Sequence, residues 1–98
     1  MDTVLITVGK LDPAGEAAYA QYADAVLPLL DRAGGRMLGR FQFQEGLVGE
    51  NFPDIVFAMS FPDTAAIRDV LSCDEYTRLI PLRDAAFCEL KTFIGSGL

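Results

Sequence analysis

The chain has 98 residues, 51% of them hydrophobic and 22% charged, with a formal net charge of −6 and no histidine. This composition is typical of a globular chain and not of a disordered one, and the length predicts a single domain over residues 1–98. The acidic balance disfavours nucleic acid and anionic membranes as partners, because phosphate contacts need a basic surface.

Residues 1–13 carry no basic leader, and their apolar run is too short for a signal peptide or a membrane span. The two cysteines, Cys73 and Cys88, are too few for a disulfide scaffold. We expect both to be reduced and buried as small hydrophobic residues. These features together predict a soluble cytoplasmic protein.

The chain begins with a predicted strand and a long helix. Thr3–Val8 is a β-branched run, which favours a strand. Asp12 suits a helix N-cap and Pro13 the first helical position. Pro28 is expected to bend or locally break the helix, and Gly34-Gly35 to end it. Apolar residues recur through it at three- and four-residue spacing: Ala18, Tyr22, Val26, Leu29, Leu30 and Ala33.

The stretch GGRMLGRFQFQ at residues 34–44 alternates between apolar or small residues and polar ones. A period of two predicts a strand with one buried face. The buried set is expected to be Met37, Gly39, Phe41 and Phe43. The opposite face then carries Arg40, Gln42 and Gln44.

A loop and a third strand follow. Gly46–Pro53 is rich in Gly, Asn and Pro, which predicts a loop. Residues 45–51 are positioned to close over a cleft, with Phe52 either as a lid or as a plug for the loop's own core. Asp54–Phe61 alternates again and is predicted to be a strand.

The last part of the chain is predicted to contain a broken helix and a final strand. Pro62-Asp63 opens the helix, and Ser72 with Glu75 fits a capping box for a second piece. A further helical turn covers residues 82–87. The last strand is predicted over Cys88–Ile94, with a frayed tail.

The predicted order is β-α-β-β-α-β with the second helix split in two, which is the ferredoxin-like α+β arrangement. Both helices then cover one face of a four-stranded antiparallel sheet. The other face is expected to be bare and apolar, lined by Leu5, Leu38, Val56 and Ala58. Since an apolar face of this size is not left in water, we expect a homodimer through the sheets. Arg40, Gln42 and Gln44 are expected at that interface or in a cavity beside it.

Three stretches carry a family resemblance: GGRMLGR after the long helix, FPDTAA after the third strand, and SCDEY followed by Arg83 in PLRDAA. The chain resembles domain-of-unknown-function family thirteen-thirty, within the dimeric α/β-barrel superfamily. The resemblance implies two ferredoxin-like subunits whose sheets pack into a barrel, with ligands in a cleft between sheet and helices. Carried over by position, Arg40, Tyr76 and Arg83 match the family's recurrent polar residues.

The sequence also departs from the family pattern. Ser60 stands where relatives often carry an acidic residue before the Phe-Pro pair, and Phe41-Gln42 stands where small glycines are usual. If the acidic residue is catalytic in relatives, this chain lacks a group that their chemistry uses; if it is structural, nothing follows for function. The superfamily includes cofactor-independent oxygenases, isomerases and ring-closing enzymes, as well as haem enzymes that hold iron through histidine.

Arg40 is the first candidate site residue, because a guanidinium can bind a carboxylate through two parallel hydrogen bonds. Its alternative role is an intersubunit salt bridge to an acid such as Glu45 or Glu89. Tyr76 is a second candidate catalytic residue, and four others are candidate ligand-binding residues: Tyr22, Gln42, Ser60 and Arg83. Both tyrosines also fit the core, and the arginine also fits a helix end.

No cofactor and no metal are expected, because the chain lacks histidine and its cysteines are far apart in sequence. The purified protein should be colourless and insensitive to chelators. The function that the sequence favours is binding of a small carbonyl- or carboxylate-bearing metabolite, with cofactor-independent catalysis as one form of it. The alternatives are a non-catalytic binding protein and a structural dimer without a ligand.

Overall fold

The structure is a computed structural model that describes residues 3–98. Its elements are β1 (Thr3–Leu11), α1 (Glu16–Arg32), β2 (Arg36–Gln42), β3 (Ile55–Phe61), α2 (Thr64–Ser72), α3 (Asp74–Thr77), α4 (Ile80–Ala86) and β4 (Phe87–Ser96). The strands form one antiparallel sheet in the order β2-β3-β1-β4. The predicted ferredoxin-like arrangement is confirmed, with the second helix in three pieces and not two. Within these residues no helix is long and apolar enough to cross a membrane.

The hydrophobic core lies between the helices and one face of the sheet. Leu5, Leu30 and Ile67 are almost fully buried there, at 1–2% exposure. Leu5 was predicted to line the bare face, and that placement is wrong. Leu5 pairs with Met59, and the odd-numbered residues of these strands alternate toward the helices.

None of the helices within residues 3–98 covers the opposite face of the sheet. Its members are the even-numbered residues of β1 and β3 together with their neighbours on the edge strands, since register fixes which side chains share a face. Phe41 and Phe93 are the large exposed members, at 65% and 47% exposure. We call this surface the open face; its apolar residues are Val4, Ile6, Val8, Phe41, Val56, Ala58 and Phe93.

A β-bulge in β2 changes which residues face the core. Met37 pairs with Met59 and Gly39 with Ala58, so the register skips Leu38. One extra residue reverses the side of everything that follows it. Arg40 consequently pairs with Phe57 and lies on the helix side of the sheet. The prediction that Met37, Gly39 and Phe41 share a buried face is therefore wrong, and β2 is largely exposed.

The start of α1 differs from the prediction. Asp12 and Pro13 form a turn before the helix: the Asp12 carbonyl accepts from the Gly15 amide at 2.8 Å, and its carboxylate from the Ala14 amide at 2.8 Å. Gly15 is the N-cap and Glu16 the first helical residue. Proline after aspartate is equally suited to a type I turn, which explains why the sequence predicted the helix to start three residues before Glu16.

The end of α1 is as predicted. Gly34 adopts φ +97°, a left-handed conformation that glycine reaches without strain. The Gly34 amide donates to Asp31 and the Gly35 amide to Leu30, both at 3.0 Å. The helix nevertheless runs through Pro28 without a break. Pro28 lies on the exposed side of the helix, where water can satisfy the carbonyl that loses its partner.

Two N-caps were predicted for the helices after β3; the cap of α2 is confirmed and the cap of α3 is wrong. The Asp63 carboxylate accepts from the Ala66 amide at 2.8 Å and caps α2. Ser72 does not cap α3, because its hydroxyl donates back to the Arg68 carbonyl at 2.6 Å. Such back-bonding within the last turn of a helix competes with capping of the next one.

The final strand is longer than predicted. It begins at Phe87 and includes Gly95 and Ser96, which pair with Val4 and Thr3. Leu11 pairs with Phe87 and Lys10 with Glu89, so the register skips Cys88. Cys88 is exposed for this reason, and the prediction that it is buried is wrong.

Candidate functional site

A cleft on the helix side of the sheet lies between the start of α1 and the end of β2. It has a volume of about 610 Å³, within the range of small-molecule sites. One wall comes from the sheet and the other from the turn before α1 and its first helical turn. We call it the Arg40 cleft; it is lined by Leu11, Asp12, Pro13, Glu16, Tyr19, Arg40, Phe41, Gln42 and Ile55.

Arg40 and Tyr19 join the two walls of the cleft. The Arg40 Nη2 atom donates to the Tyr19 hydroxyl at 3.0 Å. Arg40 forms no ion pair with any acid of residues 3–98, so neither Glu45 nor Glu89 neutralises it within the chain. Its exposed guanidinium is therefore held by a neutral phenol, with donors left for an anion.

Two local features position these side chains. The bulge at Leu38 turns Arg40 to the helix side, as described above. Gly15 lets α1 approach the end of α4: a Cβ atom there would lie 2.6 Å from the Ala85 carbonyl oxygen and 2.8 Å from that of Ala86. Only a glycine tolerates backbone atoms at that distance. Gly15 therefore allows the close approach that positions the first turn of α1, which carries Tyr19.

A second polar cluster lies inside the helical layer. The Tyr22 and Tyr76 hydroxyls are 3.1 Å apart, and Arg83 Nη1 donates to the Tyr76 hydroxyl at 3.2 Å. Both tyrosines are buried, and Phe87 packs edge-on against Tyr19 and Tyr22. Neither Tyr22, Tyr76 nor Arg83 lines the Arg40 cleft. The structure thus divides the sequence-predicted residues into two groups.

Burial dominates the electrostatics of this second cluster. It raises the pKa of Tyr22 well above the ordinary tyrosine value of 10.0, and the hydrogen bond with Tyr76 raises it further. The neutral phenol is therefore favoured in the folded chain. Tyr22 and Tyr76 are buried and hydrogen-bonded to each other, which is typical of a structural network. Arg83, at the outer end of the cluster, lines an opening of about 350 Å³ beside β4.

The raised pKa of Tyr22 predicts a specific loss of stability in alkali. The unfolded chain ionises this phenol near pH 10.0 while the folded chain keeps it neutral, so the stabilisation is complete below pH 10.0 and is lost above it. The free energy of unfolding should fall by up to about 1.4 kcal/mol per pH unit from this group. Urea unfolding of the wild type and Tyr22→Phe between pH 9 and pH 11.5 measures it. The free energy of unfolding should fall less steeply with pH in Tyr22→Phe than in the wild type. Parallel curves for the two proteins would contradict the raised pKa of Tyr22.

The remaining predicted residues are placed as follows. Gln42 lines the Arg40 cleft, beside Arg40 on the same strand. Ser60 lies on the open face, where it pairs with Val4 and Arg36, and is separate from both polar groups. The Phe52 ring covers Gly46, where an added Cβ would clash with it. Phe52 therefore plugs its own loop.

A scan against protein-family models matches residues 6–95 to a domain of unknown function, DUF1330. The chain belongs to the DUF1330 family. The resemblance drawn from the three sequence stretches is therefore confirmed. No protein with a curated description matches this DUF1330 chain.

Solved structures share the fold of the DUF1330 chain. A protein of unknown function from Rhodopseudomonas palustris is 24% identical with a TM-score of 0.89, covering 99% of this chain and 82% of its own. An uncharacterized NIPSNAP domain protein from Burkholderia xenovorans is 12% identical, with a TM-score of 0.72 and coverage of 98% and 94%. An ethyl tert-butyl ether d (EthD) family protein from Bacillus halodurans is 19% identical, with a TM-score of 0.72 and complete coverage of both chains. These likenesses establish the fold alone.

Tyr19 and Glu16 are the cleft residues of this DUF1330 domain that the sequence did not single out. Their three-residue spacing puts them on one face of α1, but no pattern indicated which strand lies opposite that face. For metals, no group of three His, Cys, Asp or Glu side chains suited to an ion occurs in the part of the chain that the structure describes. The expectation of a cofactor-free protein stays a prediction.

Proposed function

We propose that the DUF1330 chain binds a small organic acid in the Arg40 cleft, with the Arg40 guanidinium as the anchor for its carboxylate or carbonyl group. The observation that carries the proposal is the state of Arg40. It is exposed on a cleft wall, contacts a phenol, and pairs with no acid of residues 3–98. A guanidinium in that state gains most from an anion that accepts two parallel hydrogen bonds.

The rest of the cleft supports a small, partly apolar ligand. Ile55 and Leu11 provide apolar wall, and the Gln42 amide adds a donor and an acceptor beside Arg40. Tyr19 shares a hydrogen bond with Arg40 and offers its own hydroxyl to the ligand. A mostly apolar cavity with a few convergent polar groups is the usual form of a metabolite site.

The same groups suit cofactor-independent catalysis of the isomerase, cyclase or oxygenase type. Arg40 and Tyr19 both donate hydrogen bonds, and two donors aimed at one carbonyl oxygen stabilise the negative charge that develops there. Tyr76, the other proposed catalytic residue, is buried in the structural cluster, which favours non-catalytic binding as the alternative function. Turnover of a bound acid by the wild type but not by Arg40→Met would favour the enzyme.

A ligand screen tests the binding proposal. The ¹⁵N-labelled protein is titrated with a panel of small carboxylic and oxo acids, and amide shifts are followed by NMR. Shifts should concentrate on α1's first turns and on β2 around Gln42. Shifts confined to other regions, or none with any acid at millimolar concentration, would overturn the proposal.

We further propose that the chain is a cytoplasmic homodimer that pairs through the open face. The molecule is a slab 33 Å by 32 Å wide and 16 Å thick, so the sheet is a large share of its surface. The open face presents exposed apolar side chains, Phe41 and Phe93 among them, that a second copy would cover. Two free cysteines, Cys73 and Cys88, are consistent with a reducing compartment.

A charge on the open face should dissociate the dimer. Light scattering should give about twice the chain mass of 10.6 kDa for the wild type and the single-chain mass for Phe93→Glu. A carboxylate buried in an apolar interface is costly to desolvate. Ala65→Glu, on the exposed side of α2, adds the same charge to the helical layer and should stay dimeric. A monomeric wild type at micromolar concentration would contradict the proposal.

A further inference from the structure

The two walls of the Arg40 cleft carry side chains of opposite charge. The sheet wall carries the only cation among the lining residues, Arg40, and the helix wall carries two carboxylates, Asp12 and Glu16. Asp12 already accepts a hydrogen bond from the Ala14 amide at 2.8 Å. Glu16 is exposed and forms no ion pair within residues 3–98. An unpaired cation and an unpaired anion thus line the same cleft without bridging to each other.

Glu16 lies within reach of a small ligand held by Arg40. Glu16 and Tyr19 are three residues apart on α1, and such residues have Cβ atoms about 5–6 Å apart on one helix face. Arg40 contacts the Tyr19 hydroxyl at 3.0 Å. A molecule with a few carbon atoms between its ends can therefore contact both charged groups.

The charge of the whole protein favours the same kind of ligand. The formal net charge is −6, so the surrounding field opposes the approach of a simple organic anion. A molecule that carries both a carboxylate and an ammonium group has no net charge and meets no such opposition. Its ammonium end is attracted to the acidic wall.

We infer that the ligand of the Arg40 cleft is a zwitterion, an amino acid-like compound whose carboxylate binds Arg40 and whose ammonium group binds Glu16. This inference rests on the proposed function, which assigns the carboxylate to Arg40. It adds the second charged group and with it the class of the compound. Glu16 is then the residue that selects amino acids over simple acids.

Matched pairs of ligands test the inference. Glycine, β-alanine, 4-aminobutanoate and 5-aminopentanoate are each compared with the acid that lacks the amine, from acetate to pentanoate, in NMR titrations of the full chain. The amine should improve affinity about 10-fold at the length that spans the two groups, since a hydrogen bond to a charged group contributes about 1.5 kcal/mol. Glu16→Gln should remove this advantage, and it should not weaken the binding of the simple acid, because it takes a negative charge out of the cleft.

Asp24→Asn is the matched control, because it removes one negative charge from an exposed position of the same helix outside the cleft. It should keep the preference for the amine. Simple acids that bind at Arg40 as well as the amino acids do would overturn the zwitterion inference and leave the proposed function standing. Failure of every acid and amino acid to bind would overturn both. A preference for the amine that persists in Glu16→Gln would overturn the role of Glu16.

Discussion

Replacing Arg40 with methionine should weaken the binding of small carboxylates about 30- to 150-fold. Methionine keeps much of the apolar stem but removes the charged donors, and the loss of a charge-assisted pair of hydrogen bonds corresponds to about 2 to 3 kcal/mol. Isothermal titration calorimetry of the acid with the best affinity measures the change. Arg40→Lys should recover only part of it, because an ammonium group does not reproduce the two-pronged contact.

Arg78→Met is the control for the loss of one positive charge. Arg78 is exposed at the end of α3 and does not line the cleft. It should bind the acid as the wild type does. Equal affinity of Arg40→Met and the wild type would show that the acid binds elsewhere, and equal weakening in both variants would show a long-range effect of net charge.

Replacing Gly15 with alanine should destabilise the fold by about 3 kcal/mol, a large effect for one methyl group. The added Cβ would lie 2.6 Å and 2.8 Å from two backbone carbonyl oxygens of α4 and 3.0 Å from the Ala86 Cα atom. Backbone atoms at the end of a packed helix cannot move aside as a flexible side chain can. For a domain of this size the melting temperature should fall by roughly 12 to 24 °C.

Gly97→Ala is the matched control for this substitution. Nothing lies within 4 Å of a Cβ at Gly97, so its melting temperature should match that of the wild type. Calorimetric melting curves of the three proteins make the comparison. A Gly15→Ala variant as stable as the wild type would show that α1 can shift away from α4 at little cost.

Much of the fold follows from local patterns in the sequence. The alternation in β1 and β3, the Asp63 cap and the double glycine after α1 each specify one local conformation, and each is present in the structure. The predicted element order was sufficient for the topology because antiparallel neighbours in this arrangement leave few alternatives. The long helix continues through Pro28 because the lost hydrogen bond lies on its exposed side.

The site was harder to predict, since it depends on register. The bulge at Leu38 is one residue long and leaves no mark in the alternation, yet it moves Arg40 from the open face to the cleft. Tyr19 became a site residue only because the start of α1 lies against the end of β2. Tyr76 and Arg83 look like site residues in sequence, whereas Tyr76 bonds to the buried Tyr22 and Arg83 donates to Tyr76, away from the cleft. Whether a polar residue lies in the cleft or in the buried network depends on contacts between distant segments. The periodicity within one segment carries no information about those contacts.

A crystal structure of the protein with the acid selected by the NMR screen tests the central claim most directly. The account predicts the carboxylate within hydrogen-bonding distance of the Arg40 guanidinium and the Tyr19 hydroxyl, between α1 and β2. Arg40 bridged to an acidic residue of a second copy, with the cleft filled by side chains and the acid bound elsewhere, would contradict it.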